Sequence, residues 1–306
     1  MQSVRIHAFG GPEVLALETA PTPEPQSGEI LVRVHAAGVN PVDYKIRNGG
    51  YVAEDRLPLT LGRDISGVVE RCGPGIEEFK PGDAIYALLT PDRGGYAEFV
   101  AVKAADCAAK PECLDHVQAA AVPLAALTAW QGIFDHGGLS AGQRILIHGA
   151  AGGVGHFAVQ FAKARGATVY ATCSGRDIDF VQSLGADDAI DYKNQRFEDI
   201  ARDIDLVYDL VAGDTQERSW SVLRESGIIV STLQQPSKEK AAEHKARGAY
   251  YLTEPNGTEL AEIGRLIDAG AVRVEVGKVF PLRRAADAER ALEEEHVRGK
   301  VVLKVA

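Results

Sequence analysis

The sequence is poor in cysteine, in excess positive charge and in long apolar runs. Its 306 residues include four cysteines, Cys72, Cys107, Cys113 and Cys173, and no two of them form a CxxC pair. Such scattered thiols predict neither a disulfide framework nor a four-cysteine zinc lobe, and we interpret them as ordinary reduced thiols. No run approaches the roughly 18 apolar residues that a spanning helix needs, so membrane insertion is not expected.

The N-terminal stretch and the net charge exclude further classes of protein. Residues 1–13 contain no apolar h-region and are not rich in Arg and Ser, so neither a secretory signal nor a transit peptide is predicted. A cytoplasmic location is therefore expected. The 43 acids outnumber the 33 bases and give a formal charge of −10. Because an acidic surface repels phosphate backbones, nucleic acid is not an expected partner, although a local basic site could bind a small anion.

The first hundred residues have the pattern of β structure, and the middle of the chain alternates between strands and helices. Short strands separated by Gly and Pro turn signals predict a sandwich or barrel-like β domain. These strands are Val4–Phe9, Val14–Glu18, Ile30–Val39, Ile65–Cys72, Ala84–Leu88 and Tyr96–Val102. The alternation that follows predicts a parallel, doubly wound sheet. Its strands are Arg144–His148, Thr168–Thr172, Ala189–Asp191, Asp205–Asp209, Ile228–Thr232 and Ala249–Leu252.

The C-terminal segment is too short to form a core of its own. Its predicted elements are helices over Thr258–Ala269 and Ala285–Glu295 and strands over Val279–Leu282 and Lys300–Val305. We expect this segment to return to the N-terminal β domain. The chain is therefore predicted to be an α/β protein with domain boundaries at 1–120, 121–254 and 255–306.

A glycine-rich turn follows the first strand of the alternating region. Residues 149–155 read Gly-Ala-Ala-Gly-Gly-Val-Gly, and the helix after them has apolar residues at the spacing of one buried face. This order predicts a dinucleotide site, in which the turn approaches a pyrophosphate and the helix N-terminus supplies N–H groups. Ala150 replaces the first glycine of the usual G-x-G-x-x-G, and a turn that serves packing alone is the alternative. The expected cofactor residues here are Ala151, Gly152, Gly153, Val154 and Gly155.

The end of the next strand indicates which dinucleotide binds. An NAD site usually places an acid roughly 20 residues after the turn, whereas this chain has Thr-Cys-Ser-Gly-Arg at 172–176. A carboxylate would repel a 2′-phosphate, whereas the hydroxyl of Ser174 and the guanidinium of Arg176 would bind it. NADPH is therefore the expected cofactor, with the alternative that Arg176 is a solvated residue. Asp177 and Asp179 are expected in the first turns of the following helix.

Further segments resemble the medium-chain dehydrogenase/reductase family, in the right order and along nearly the whole chain. They are Gly62–Glu70, Phe79–Asp83, Gly94–Glu98, Leu124–Trp130, the 149–155 turn, Leu184–Asp187 and Gly299–Leu303. The resemblance implies a GroES-like β domain with a Rossmann domain, a doubly wound parallel sheet, inserted into it. This implication agrees with the order of β region, α/β region and returning tail.

The family contains zinc alcohol dehydrogenases and zinc-free reductases, and the residues favour the second branch. Asn40 stands where the zinc branch carries a cysteine ligand, and Arg63 and Asp64 stand where it carries His and Glu. No metal is therefore expected, and without a Lewis acid alcohol oxidation is disfavoured. The chain is similar to quinone oxidoreductases and enone reductases. That resemblance implies hydride transfer from NADPH to an electrophilic small molecule, either a quinone or an α,β-unsaturated carbonyl.

The resemblance also implies individual site residues. Asn40 or Lys45 would hold the oxygen on which charge develops, and Tyr51 would line the substrate mouth or deliver a proton. Each residue also has a non-functional interpretation: Asn40 as a turn residue, Lys45 as a solvated cation and Tyr51 as a residue that packs its loop. Thr128 would lie near the nicotinamide amide, and Tyr192 would lie beside the 2′-phosphate. The remaining expected cofactor contacts are Leu210, Leu233, Gly299 and Lys300.

Two other functions remain open, and so does the oligomeric state. An enoyl-thioester reductase would need a long acyl channel and a basic surface, and no feature of the sequence indicates either. A non-catalytic nucleotide-sensing or partner-binding protein would keep the same turn. A homodimer is expected because Ile228–Thr232 and Ala249–Leu252 are apolar enough to leave an adhesive sheet edge. The alternative is a monomer in which the charged stretch 237–247 covers that edge.

Overall fold

The computed structural model describes all 306 residues, which divide into two compact units. Unit 1 comprises Met1–Leu124, Pro255–Gly270 and Val274–Ala306. Unit 2 comprises Ala125–Glu254 and Ala271–Arg273, so in sequence it is inserted into unit 1. No helix of either unit combines the length and the apolar character that crossing a membrane requires.

The N-terminal part of unit 1 is mainly antiparallel β structure. Its strands are β1 (Gln2–Ile6), β2 (Ala16–Thr19), β3 (Glu29–Val39), β4 (Leu59–Thr60), β5 (Asp64–Cys72), β6 (Ala84–Leu88), β7 (Phe99–Lys103) and β8 (Cys107–Ala109). The helices of this part are α1 (Pro41–Arg47) and α2 (His116–Ala120), while α3 (Pro123–Trp130) begins in unit 1 and continues into unit 2 from Ala125. Three buried apolar clusters stabilise these strands, one of which contains Ile30, Val32, Ile65 and Ile85.

Unit 2 is a six-stranded parallel sheet with helices between its strands. The strands are β9 (Arg144–His148), β10 (Thr168–Cys173), β11 (Asp188–Asp191), β12 (Ile204–Asp209), β13 (Leu223–Ser231) and β14 (Arg247–Tyr250). The helices are α4 (Gly155–Ala164), α5 (Ile178–Ser183), α6 (Phe197–Ile200), α7 (Asp214–Ser219) and α8 (Lys238–Glu243). The strand order is β11-β10-β9-β12-β13-β14, so the connections switch direction beside β9. Doubly wound sheets bind ligands at the carboxyl ends of strands beside such a switch.

The C-terminal segment completes the sheet of unit 1. It contains α9 (Gly257–Asp268), β15 (Val276–Pro281), α10 (Ala285–Glu294) and β16 (Lys300–Lys304). Strand β16 pairs antiparallel with β3, placing Val301 opposite Val39 and Leu303 opposite Ala37. The larger sheet has the order β15-β16-β3-β5-β6-β8 with β7 beside β3, and a smaller sheet has the order β2-β1-β4. The predicted return of the tail and the α/β fold with a doubly wound parallel sheet are both confirmed.

Among the elements that differ from the prediction, α1 and β13 do so for clear local reasons. The sequence predicts no helix after Asn40, whereas α1 begins there with Pro41 in its first turn and the Asp43 carboxylate accepting from the Asn40 N–H at 2.7 Å. Strand β13 begins at Leu223, five residues before the predicted Ile228. Its first residues are largely exposed and Ser226 has a φ of +63°, so this half lacks an apolar strand pattern.

Candidate functional site

The turn after β9 has the backbone form of a dinucleotide-binding loop. Gly149 has a φ of +74°, a left-handed conformation that glycine adopts without strain. A Cβ on Gly155 would lie 2.2 Å from the Gly149 carbonyl oxygen and 2.6 Å from the Ala150 Cα, so α4 can begin against the turn only with glycine there. Gly149 and Gly155 therefore shape the turn, and Ala150 is accommodated where the usual motif has glycine.

Gly152 is a glycine for which the protein itself gives no packing reason. A Cβ there would meet only the Gly149 carbonyl oxygen, at 3.4 Å, which is an ordinary contact. Its φ is not in the left-handed region. Alanine would therefore fit the protein, and the space it would fill lies just before α4, whose N-terminal N–H groups and dipole favour an anion. This open cradle fits the pyrophosphate of a dinucleotide.

Apolar residues from the next strand end lie against the turn. A Cβ on Gly149 would lie 3.5 Å from Val211 Cγ2 and 3.6 Å from Leu210 Cβ, which places Leu210 beside the turn. Leu233 follows β13 and is 45% exposed, with its N–H donating to Ser231 Oγ at 3.2 Å. The carboxyl ends of β12 and β13 thus present apolar side chains on the edge of the sheet that carries the turn.

Tyr192 and Ser174 come together at the ends of β11 and β10. Cys173 pairs with Asp191 in the sheet, and the Tyr192 N–H donates to the Cys173 carbonyl oxygen at 3.2 Å. The Tyr192 ring is 58% exposed, so its phenol is open to a ligand. The structure therefore brings these two expected contacts to one corner of the sheet.

Asp177 lies at the start of the following helix, as the sequence predicts, where it ends the 3₁₀ turn Gly175–Asp177 and is the N-cap of α5. Its carboxylate accepts a hydrogen bond from the Ser174 hydroxyl at 2.6 Å, and its side chain is 2% exposed. The short 3₁₀ turn Gly175–Asp177 allows this contact, because it brings residue 177 close to Ser174, whose carbonyl oxygen accepts from the Asp177 N–H at 2.8 Å. Arg176 is exposed, and its Nε lies 3.9 Å from the same carboxylate.

Two buried tyrosines support the backbone of Thr128. The Tyr208 and Tyr251 hydroxyls lie 2.9 and 2.5 Å from the Thr128 carbonyl oxygen and 2.8 Å from each other. Burial raises the pKa of both phenols, so they stay protonated and can donate. The Thr128 hydroxyl is bonded to Thr253 Oγ1 at 2.7 Å. The segment that follows, Gln131–His136, is a π-helix, a form that is frequent at functional sites.

In unit 1, Asn40 and Lys300 belong to one buried polar cluster around Asp64. The Lys300 ammonium donates to Asn40 Oδ1 and lies 3.3 Å from Asp64 Oδ2. The Asn40 Nδ2 donates to the same Asp64 oxygen at 2.9 Å, and the Leu124 N–H donates to the other at 2.6 Å. Lys300, expected as a cofactor contact, is thus buried and hydrogen-bonded within unit 1, where Asp64 offsets its charge, and its role as a cofactor contact stays a prediction. Asn40 has its amide oxygen and one N–H engaged.

The other expected residues of unit 1 occupy helix-end, loop and turn positions. Lys45 is half-buried in the last turn of α1. Tyr51 follows in a loop, is 62% exposed and has a φ of +67°, a strained conformation for a bulky residue that is common at functional sites. Gly299 has a φ of +66°, and a Cβ there would lie 2.3 Å from the Glu275 carbonyl oxygen. The turn before β16 therefore explains Gly299 without a ligand.

Sequence reasoning missed Asp43, which is fully buried beside Asn40. Its Oδ2 accepts from the Asn40 N–H at 2.7 Å and from the Tyr96 hydroxyl at 3.1 Å, while Oδ1 has no hydrogen-bond partner. Burial raises the pKa of Asp43 to about 7, and the nearby charge of Asp64 acts in the same direction. The Asn-Pro-x-Asp spacing is a helix-start pattern that could have indicated this carboxylate.

Two family models match the chain, and one of them implies a metal. Residues 26–112 match the alcohol dehydrogenase GroES-like domain, and residues 184–303 match the model described as zinc-binding dehydrogenase. The residues at the expected ligand positions do not fit zinc. Arg63 carries a cation that donates to the Leu89 carbonyl oxygen at 2.5 Å, and Asn40 and Asp64 are engaged by the Lys300 ammonium. No group of three His, Cys, Asp or Glu side chains could hold a metal ion.

Similar proteins cover nearly the whole chain. It is 38% identical to the human mitochondrial NAD(P)H oxidoreductase RTN4IP1, over 90% of this chain and 82% of that protein. It is 36% identical to the chloroplastic NADPH-dependent alkenal/one oxidoreductase of Arabidopsis thaliana, over 96% and 77%. The solved quinone oxidoreductase of Coxiella burnetii has a TM-score of 0.94 and 39% identity, covering 100% of this chain and 99% of that one. The chain therefore belongs to the medium-chain dehydrogenase/reductase superfamily of oxidoreductases, as its GroES-like unit and its Rossmann unit also indicate.

Proposed function

We propose that this protein is an NADPH-dependent reductase that transfers hydride to a quinone or an α,β-unsaturated carbonyl without a metal ion. The observation that carries the proposal is the open cradle at Gly152, at the N-terminus of α4 and beside the switch point of the parallel sheet. The activities for which the three relatives are named support both the reduced nicotinamide cofactor and the class of acceptor.

Residues of unit 2 would hold the cofactor. The backbone at Gly152 and the N-terminus of α4 bind the pyrophosphate, and Leu210 shields it from the side of β12. Arg176 and Tyr192 bind the 2′-phosphate by a charge-assisted and a neutral hydrogen bond. Thr128, supported by its tyrosine pair, orients the nicotinamide end. When bound, NADPH supplies the hydride.

Residues at the two ends of α1 would act on the acceptor. Asn40 retains one amide N–H beyond the one given to Asp64, and Lys300 fixes the orientation of the amide through its oxygen. That N–H can donate to the oxygen on which negative charge develops. Lys45 adds positive charge, and the exposed Tyr51 phenol can deliver the proton that accompanies the hydride.

A panel of acceptors tests this proposal. Oxidation of NADPH and NADH is followed with 1,4-benzoquinone, but-3-en-2-one and crotonyl-CoA under matched conditions. We expect turnover of the quinone or the enone with NADPH preferred. A rate that is highest with crotonyl-CoA would instead indicate an enoyl-thioester reductase. Nucleotide binding with no turnover of any acceptor would indicate a non-catalytic protein.

A matched pair of glycine substitutions tests the cradle itself. Gly152→Ala adds a methyl group that the protein accommodates, so this variant should fold normally and bind NADPH roughly tenfold or more weakly, a loss of about 1.4 kcal/mol. Gly155→Ala forces a methyl group to within 2.2 Å of a backbone oxygen, so it should lose stability. Calorimetric titration and thermal unfolding measure the two effects. A Gly152→Ala protein with unchanged NADPH affinity would contradict the assignment.

Assembly and location remain predictions. Strand β14 pairs only with β13, and Tyr250 and Leu252 beside this sheet edge are 39% and 60% exposed, which supports a homodimer that covers the edge. Light scattering at micromolar concentration should give twice the 32.7 kDa of one chain, and a mass near 32.7 kDa would contradict the dimer. The cytoplasmic location expected from the sequence stays a prediction, because the human relative is named as mitochondrial.

A further inference from the structure

The hydroxyl at the end of β10 is already used within the protein. Ser174 donates its only proton to Asp177 Oδ2 at 2.6 Å, and the two residues are 7% and 1% exposed, so water competes little for the bond. While this bond is intact, Ser174 can accept a hydrogen bond from a ligand but cannot donate one. A phosphate oxygen requires a donor, whereas a ribose 2′-hydroxyl can donate to either Ser174 or Asp177.

A second carboxylate lies at the same corner. A Cβ on Gly175 would be 2.7 Å from Asp191 Oδ2, so Asp191 lies directly against the turn that carries Asp177. The Lys193 N–H and the Asn194 Nδ2 donate to the Asp191 carboxylate at 3.1 and 2.6 Å and hold it in place. The position that usually carries an acid in NAD sites, the end of β10, is Cys173, so here both acids come from neighbouring segments.

The cations at this corner balance the negative charge of the two acids but do not exceed it. Arg176 Nε lies 3.9 Å from Asp177 Oδ2, and the side chain is 61% exposed. The Lys193 ammonium lies 6.0 Å from the centroid of the Tyr192 ring. Two carboxylates therefore face two cations, whereas strong selection for a doubly charged phosphate requires a net positive field.

We propose that the acid pair Asp177 and Asp191 determines cofactor specificity by limiting the preference for NADPH, so that NADH is also bound and used. The inference rests on the proposed function and refines it. Asp177 repels the 2′-phosphate and occupies the Ser174 proton that would otherwise bind it. The Ser174 oxygen, oriented by the same carboxylate, accepts a hydrogen bond from the 2′-hydroxyl of NADH.

Neutralising each acid without changing its shape tests this inference. The dissociation constants of NADPH and NADH are measured by calorimetric titration for the wild type, Asp177→Asn and Asp191→Asn. The preference for NADPH should rise roughly tenfold in Asp177→Asn, through tighter NADPH binding, and should rise less in Asp191→Asn. Asp179→Asn is the matched control, because this exposed residue lies in α5 and changes the net charge by the same amount. It should alter the preference by less than about twofold.

The outcomes separate this inference from the proposed function. An unchanged or lowered preference in both variants, or a change equal to that of Asp179→Asn, overturns the inference. If circular dichroism shows that Asp177→Asn does not fold, the Asp191→Asn variant alone tests the inference. Its preference for NADPH over NADH must then exceed that of the wild type by roughly threefold or more. A wild-type protein that binds neither nucleotide overturns the proposed function instead.

Discussion

Replacing Lys300 by Met tests whether this cation serves the fold or the cofactor. Its ammonium lies 3.3 Å from Asp64 Oδ2, and the two side chains are 4% and 0% exposed. Met keeps the length of the side chain without its charge, so Lys300→Met leaves the Asp64 carboxylate buried without its ammonium partner. Removing one partner of a buried pair costs about 3–5 kcal/mol. Because the Arg63 guanidinium also attracts Asp64, we expect a loss near 3 kcal/mol.

Neutralising Asp64 as well separates the effect of charge from the effect of packing. Asp64→Asn in the Lys300→Met background removes the stranded charge and keeps an oxygen for the Leu124 N–H, which donates to Asp64 at 2.6 Å. The double variant should therefore be more stable than the sum of the single losses predicts, by about 2 kcal/mol. A coupling near zero would show that the two side chains do not form an energetically important pair.

The assay must report on unit 1. Both tryptophans, Trp130 and Trp220, lie in unit 2, so urea unfolding is followed by far-ultraviolet circular dichroism as well as by fluorescence. Lys304→Met is the matched control, because Lys304 is the exposed last residue of the same strand, and it should change stability by less than about 0.5 kcal/mol. If Lys300→Met were as stable as Lys304→Met but bound NADPH more weakly, the reasoning would be refuted and Lys300 would be a cofactor contact.

Three other perturbations have expected outcomes. Arg176→Ala should weaken NADPH roughly tenfold or more relative to NADH, since a charged hydrogen bond is worth about 1.5–3 kcal/mol, and equal losses in titrations of both nucleotides would contradict its role. Burial raises the pKa of Asp43 from 3.8 to about 7. It also raises, from 4.5 to about 8, the pKa of Glu289, a buried residue of α10 whose carboxylate is paired with Arg47. The stability that these acids contribute is complete below about pH 4, declines progressively as the pH rises and is lost once the pH has passed about 7 to 8. The melting temperature should therefore fall between about pH 4 and pH 8, less steeply in Asp43→Asn. Tyr251→Phe should cost about 1 kcal/mol of stability and raise the KM for NADPH through Thr128, and an unchanged KM would limit this tyrosine to a structural role.

The strands of unit 2 could be predicted from the sequence because they are short apolar runs bounded by turn residues. Strand β9 has the predicted bounds, Arg144–His148, and all but the first of its residues are buried. The start of β13 could not be predicted in this way, because its early residues are exposed and its register with β12 shifts between Ile204 and Leu206. Periodicity identifies the buried part of a strand, whereas exposed extensions depend on the neighbouring strand.

The side-chain contacts of the candidate site could be predicted less well than the strands, because they depend on the direction in which each side chain points. The family resemblance places Lys300 in the closing segment Gly299–Leu303, but only the structure shows that its ammonium donates to Asn40, 260 residues earlier in the chain. Similarly, helical periodicity places Asp177 in the first turn of a helix. Whether its carboxylate points along that helix or back to Ser174 is decided by the 3₁₀ turn at Gly175–Asp177, which no spacing in the sequence specifies.

The variant glycine motif shows at which positions of a dinucleotide-binding turn the protein itself requires glycine. Ala150 is fully buried and accommodated, because the tight turn is made one residue earlier by Gly149, with its φ of +74°. Gly155 is required by the protein, since a Cβ there would collide with the turn at 2.2 Å. Gly152 is required by neither backbone conformation nor packing. Of these glycines, Gly152 alone is explained by neither backbone conformation nor packing, so substitutions at Gly152 should report on the proposed cofactor binding, whereas those at Gly155 should report on folding.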